Sequence, residues 1–90
     1  METSYKTMYV VRTAIGKPLY IVAEQKAING VGATVSKYRL SDDFAEASKC
    51  INRTTARTLI DDYVKATGST KLFDIYIVDV TVKLREKLDE

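Results

Sequence analysis

The sequence contains no histidine and no tryptophan, and it has a single cysteine, Cys50. Without histidine the chain lacks the commonest general base, the Ser-His-Asp and Cys-His triads, and imidazole metal ligands. One cysteine can form no disulfide within the chain and is too few for a thiolate zinc site. We interpret Cys50, beside Ile51, as a small packed residue. The composition predicts a protein that is not an enzyme and uses no metal or cofactor.

The sequence also lacks a long hydrophobic run. No apolar segment approaches the roughly 20 residues of a membrane span, and the stretch METSYKTMY lacks the long apolar segment of a secretory signal. Ninety residues, 46% of them hydrophobic and 29% charged, predict one globular domain over residues 1–90. We therefore expect a cytoplasmic protein that does not contact a membrane.

The longest apolar segment is residues 72–84, LFDIYIVDVTVKL, which is rich in β-branched residues. Its apolar positions are continuous rather than spaced by three and four, which favours a strand over an amphipathic helix. We predict an inner strand of the sheet. Asp79 interrupts it and must reach solvent or find a partner, for which Arg12 and Lys17 are the candidates.

Three further strands are predicted in the first half of the chain, at residues 6–15, 19–24 and 32–40. Gly16-Lys17-Pro18 marks the turn of a first antiparallel hairpin, and Asn29-Gly30 is the favoured pair for a second. The third strand has a polar pattern typical of a sheet edge.

Two helices are predicted next. Ser41 is a suitable N-cap for a short helix over Asp42–Lys49, and Asn52 is an N-cap for a second helix over residues 53–67, which Gly68 ends. The order strand-strand-strand-helix-helix-strand predicts an α+β fold. In it, two helices cover one face of an antiparallel four-stranded sheet, with the last strand next to the first.

Six tyrosines are many for a chain of this length. Tyr9, Tyr20 and Tyr38 could line up on one sheet face, with Arg12 and Arg39 close by. Tyrosine is enriched at interfaces because its ring packs while its hydroxyl finds a partner. These five residues are the predicted binding site, although the tyrosines could equally well only cover one side of a small sheet.

The charge is unevenly distributed. Residues 1–40 carry a net charge of +4 and residues 41–90 a net charge of −2. Basic residues interleaved with tyrosines could bind single-stranded nucleic acid, so a nucleic-acid-binding module is the alternative function. A metal-dependent hydrolase using Asp42-Asp43 or Asp61-Asp62 is a third reading, but helix-start charge and a solvated helix face explain these pairs.

From Tyr9 to Leu84 the chain resembles small accessory proteins of phages and other mobile elements. The matching pieces are YVVRT, LSDDFAEASKCIN, TTARTLIDDY and IYIVDVTVKL. This resemblance implies a non-enzymatic protein that binds a host protein, as anti-CRISPR proteins bind a CRISPR effector. We accordingly predict a protein partner, engaged through the tyrosine-rich face or an edge strand, and a homodimer is a further possibility.

Overall fold

The computed structural model describes residues 2–27 and 34–88. Its elements are four strands, one α-helix and one 3₁₀ turn: β1 (Glu2–Thr13), β2 (Tyr20–Ala27), β3 (Thr34–Ser41), the turn Phe44–Glu46, α1 (Arg53–Thr67) and β4 (Phe73–Leu84). The strands form one antiparallel sheet in the order β3-β2-β1-β4. The predicted α+β class, the four-stranded antiparallel sheet and the pairing of the last strand with the first are confirmed. The turn predicted at Asn29-Gly30 lies outside the described residues.

The helix α1 has the predicted limits. The Asn52 side chain accepts a hydrogen bond from the Thr55 N–H at 2.7 Å, which satisfies one of the free donors of the first turn. At the other end Gly68 adopts φ +69°, and its N–H donates to the Val64 carbonyl at 2.8 Å. A residue with a Cβ rarely adopts this left-handed conformation, so glycine ends the helix here.

The prediction of a short helix over Asp42–Lys49 is wrong. The Asp43 side chain does cap a turn, accepting from the Ala45 N–H at 2.9 Å, but the turn covers only Phe44–Glu46, and Ala47 is already extended with ψ 132°. The chain then makes strand-like hydrogen bonds that a helix would forbid. Tertiary pairing therefore overrides local helix propensity in this segment.

That extended segment lies between β1 and β2, which have only one paired position, Arg12 with Tyr20. Beyond it the Ser48 N–H donates to the Ile21 carbonyl at 3.1 Å, and the Ala23 N–H donates to the Ser48 hydroxyl at 2.8 Å. Cys50 takes the place of a β2 residue beside β1, exchanging two hydrogen bonds with Tyr9 at 2.8 and 2.9 Å. Residues 48–50 thus complete the sheet between two diverging strands.

The core lies between α1 and one sheet face. Its buried members are Val11, Ile21, Cys50, Ala56, Leu59 and Tyr63. The Tyr63 ring makes edge-to-face contacts with Phe73 at 5.4 Å and with Tyr38 at 6.3 Å between ring centroids. Such pairs add to the free energy gained by removing the rings from water.

The prediction that the last strand is an inner strand is wrong, because β4 pairs with β1 and has no second neighbour among the described strands, so it ends the sheet. Residues 2–7 of β1 and residues 79–84 of β4 form a two-stranded ribbon that extends beyond α1. On this ribbon residues 2–7 and 81–84 are all exposed. The predicted edge position of β3 is confirmed.

Candidate protein-binding edge

The structure does not bring the five predicted site residues together on one face. Directly opposed residues of antiparallel strands share a face, and faces alternate along each strand. Tyr9 and Tyr38 lie on the side that α1 covers, where both pack against the core cluster. Tyr20 is directly opposite Arg12, and both lie on the other face of the sheet. Arg39 lies on that face too, because it is directly opposite Val22, which shares a face with Tyr20. A binding surface that includes all three tyrosines is therefore not formed by this sheet.

Arg12 is held by tyrosines on the face away from α1. Its guanidinium carbon lies 4.0 Å from the centre of the Tyr76 ring, and it donates a hydrogen bond to the Tyr76 hydroxyl at 2.6 Å. The phenol groups of Tyr20 and then Tyr76 raise the pKa of Arg12. Its buried Nε has no hydrogen-bond partner among the residues described. Tyr76, which the sequence analysis did not select, thus contacts Arg12 through both its ring and its hydroxyl.

Arg39 forms ion pairs with two carboxylates, those of Glu24 and Glu46. Its Nε donates to Glu24 at 2.9 Å, and its terminal nitrogen donates to Glu46, whose other oxygen accepts from the Ser41 hydroxyl at 3.1 Å. Arg39, and then Ser41, lower the pKa of Glu46. Two carboxylates neutralise this arginine and tie the 3₁₀ turn to β2 and β3, which leaves it little charge for an anionic ligand.

The exposed arginines of α1 line a groove beside β4. Arg53 and Arg57 face Tyr9 and the strand residues Ile75 and Ile77 across an open hollow of about 280 Å³. Neither arginine has a carboxylate within 4.0 Å in the described part of the chain, and Arg57 forms no ion pair with Asp61 one helical turn away. Sequence analysis missed this groove because only packing places α1 against the end of the sheet.

The outer edge of β4 presents backbone groups that have no pairing partner among residues 2–27 and 34–88. The Ala14 N–H donates to the Leu72 carbonyl at 2.8 Å, which marks this position as a hydrogen-bonded pair of the β1–β4 register. Such pairs alternate along an antiparallel ladder, so the even-numbered residues of β4 bond β1. Its odd-numbered residues point their N–H and C=O groups away from β1: Phe73, Ile75, Ile77, Asp79, Thr81 and Lys83.

Apolar side chains accompany this free edge. Ile77 is 62% exposed, Val82 48% and Leu84 60%, and Tyr5 of the adjoining β1 is 74% exposed. Long, apolar and unpaired edge strands are templates for pairing with another chain, and soluble proteins usually block them. Here the edge of β4, with the ribbon that carries it, is the strongest candidate for an interaction site.

The structure gives the surroundings of Asp79 and of the Cys50 thiol, which the sequence analysis considered. Asp79 is opposite Thr7 and exposed, whereas its expected partners are engaged elsewhere: Arg12 with Tyr76, and Lys17 with Asp42 at 3.2 Å. Burial raises the pKa of the Cys50 thiol, which disfavours the nucleophilic thiolate. Within residues 2–27 and 34–88, no three cysteine, aspartate or glutamate residues cluster as metal ligands.

Comparison with protein-family models, with curated proteins and with solved structures gave no match for this chain. In the part of the chain that the structure describes, no helix is long and apolar enough to cross a bilayer.

Proposed function

We propose that this chain is a non-enzymatic protein-binding module that accepts a strand of its partner along the outer edge of β4. The observation that supports the proposal is the row of N–H and C=O groups on β4 that no strand of the described chain pairs, flanked by exposed apolar side chains. In this mode the backbone hydrogen bonds supply affinity, and the alternating side chains supply specificity. The tyrosine-face version of the binding site has less support, since Tyr9 and Tyr38 pack under α1.

The resemblance to accessory proteins of mobile elements indicates what kind of partner would bind this edge. A host protein, such as a CRISPR effector, is the target we predict on that basis, with binding rather than catalysis as the inhibitory act. A strand added to β4 would extend the sheet toward the target without altering the α1 core.

A proline placed on the outer edge tests the proposal. Thr81→Pro removes an N–H that points outward, so the ladder between β1 and β4 keeps its hydrogen bonds. Thr7→Pro is the matched control, because Thr7 is directly opposite Asp79 and its N–H points away from β4 on the other edge of the ribbon. Circular dichroism and urea unfolding check that both variants keep the fold.

The tagged wild-type chain and both variants are used to capture partners from nuclease-treated bacterial lysate. A protein identified by mass spectrometry is then purified and titrated. We expect Thr81→Pro to weaken binding by about tenfold or more, which corresponds to the loss of roughly one good hydrogen bond, about 1.4 kcal/mol. Thr7→Pro should bind as the wild type does. Equal affinity of wild type and a folded Thr81→Pro would exclude strand addition at β4.

A second candidate function is single-stranded nucleic-acid binding in the groove of Arg53 and Arg57. These two arginines have no carboxylate partner where the structure describes the chain. Together with Tyr9 beside them, they offer positive charge and an aromatic ring. The groove replaces the basic N-terminal half as the site, because Arg39 is neutralised by Glu24 and Glu46.

Fluorescence anisotropy with a labelled single-stranded oligonucleotide tests this alternative. Affinity should fall steeply with salt, as phosphate contacts require, and Arg53→Ala/Arg57→Ala should abolish it. Lys65→Ala/Lys71→Ala removes the same charge outside the groove and is the matched control. If the wild type causes no anisotropy change at low salt, the nucleic-acid function is excluded.

A further inference from the structure

We infer that the outer edge of β4 pairs with β4 of a second copy of this chain, in antiparallel register centred on Thr81. This inference rests on the proposed function, since it names one partner for the same edge. It is carried by the order of charged and apolar residues on β4, which is self-complementary in that register.

Opposite charges meet on one face of the paired strands. This is the same sheet face that α1 covers beside Phe73 and Ile75. With Thr81 opposite Thr81, Asp79 of each chain is opposite Lys83 of the other. The two-fold axis therefore creates two Asp79–Lys83 pairs. Both side chains are exposed, and neither takes part in an ion pair in the residues described. Opposite charges placed directly across antiparallel strands stabilise the pairing.

The apolar residues match on the other face. Val80 of one chain is opposite Val82 of the other, and Val78 is opposite Leu84, so each copy contributes to four apolar cross-strand pairs. These even-numbered residues would be the non-hydrogen-bonded positions between the copies, where opposed side chains are closest. Pairing would cover Val82 and Leu84, which are 48% and 60% exposed in the single chain.

The backbone agrees with the same register. Asp79, Thr81 and Lys83 have outward-pointing N–H and C=O groups, and in this arrangement they face the same residues of the second copy. About six hydrogen bonds would join the copies, since each of these residues donates one in each chain. The two copies of α1 would lie at opposite ends of the shared ribbon, since α1 packs beside Phe73 and Ile75 and the pairing is centred on Thr81.

No neighbouring register pairs opposite charges at two positions that both lie within β4. Centring the pairing on Asp79 or on Lys83 puts like charges opposite one another, which is destabilising. Centring it on Val80 leaves Asp79 opposite the uncharged Thr81. Centring it on Val82 places Asp79 opposite Arg85, which lies beyond the end of β4 at Leu84, and leaves Lys83 opposite Thr81. A host strand and a second copy would use the same backbone groups, so they would exclude one another on the ribbon.

Charge exchange tests the pairing and its register. The solution mass of the full chain is measured by sedimentation equilibrium over a wide concentration range. We expect the wild type to reach twice the 10.1 kDa of one chain. Asp79→Lys and Lys83→Glu each put like charges at both pairs, so each variant alone should be monomeric at concentrations where the wild type is dimeric.

An equal mixture of these two variants restores opposite charges at both pairs and should form a dimer. The double variant Asp79→Lys/Lys83→Glu should form a dimer by itself. Asp62→Lys and Lys65→Glu make the same charge changes on α1 and should leave the wild-type mass unchanged.

A wild type that stays monomeric throughout would overturn the inference, as would single variants that still form dimers or a mixture that stays monomeric. None of these results would contradict the proposed function, because that function is tested separately by whether Thr81→Pro loses binding to the target. Conversely, a dimer that follows the charge-exchange pattern would stand even if no host target binds the edge.

Discussion

Replacing Ser48 by alanine tests how the sheet is joined between β1 and β2. The Ser48 hydroxyl accepts the Ala23 N–H at 2.8 Å in a half-buried position, at the point where β1 no longer pairs with β2. In Ser48→Ala this N–H loses its acceptor, and a donor left unpaired away from water costs about 1–3 kcal/mol. The Ser48 N–H still donates to Ile21, so the segment keeps its path.

Ser69→Ala is the matched control for this prediction. The Ser69 hydroxyl also accepts a backbone N–H, that of Lys71 at 3.1 Å, but at an exposed site where water can replace it. We expect Ser69→Ala to cost less than about 0.5 kcal/mol, as surface substitutions usually do.

Urea unfolding measures the stability of both variants. A shift of the unfolding midpoint with an unchanged denaturant slope gives the change in the free energy of unfolding. For a domain of this size, each kcal/mol also lowers the melting temperature by roughly 4–8 °C. Amide hydrogen exchange at Ala23 should become faster in Ser48→Ala and stay unchanged in Ser69→Ala. If Ser48→Ala is as stable as Ser69→Ala and Ala23 remains protected, Ser48 does not join the two strands and the reasoning is refuted.

Two further predictions concern the 3₁₀ turn and the end of α1. Arg39 and Ser41 lower the pKa of Glu46, so its contribution to stability should be complete above the ordinary value of 4.5 and be lost as the pH falls below it. Glu46→Gln should therefore flatten the acid limb of a plot of urea midpoint against pH, and an unchanged limb would contradict the ion pair. Gly68→Ala should cost about 1 kcal/mol because Gly68 has φ +69°. A thermal melt equal to the wild type would argue against that conformation.

Several features of the fold follow from local sequence alone. Asn52 and Gly68 mark the limits of α1 through side-chain capping and left-handed backbone geometry, both of which act within a few residues. The β-branched run at residues 72–84 identifies β4 in the same way. The sheet could be predicted because hydrophobic period and turn residues are properties of neighbouring positions.

The segment after β3 shows where local reasoning fails. Ser41, Asp42 and Asp43 resemble a helix start, yet only one 3₁₀ turn forms. Ser48 and Cys50 are instead bonded to Ile21 and Tyr9, which are distant in sequence. Such non-local hydrogen bonds depend on how far β1 and β2 diverge, and no short window of sequence records that distance.

The sequence by itself determined the residue types available: no imidazole, one thiol, many tyrosines and a β-branched last strand. Only the tertiary structure decided which of them can meet a partner. Sheet alternation placed Tyr9 and Tyr38 under α1, Arg12 against Tyr76 and Arg39 between two glutamates. The strand order left β4 at an edge, because a last strand paired with β1 acquires no second neighbour in the described residues. A side chain's face and a strand's neighbours arise from pairing between distant segments, so the candidate site became visible only in the folded chain.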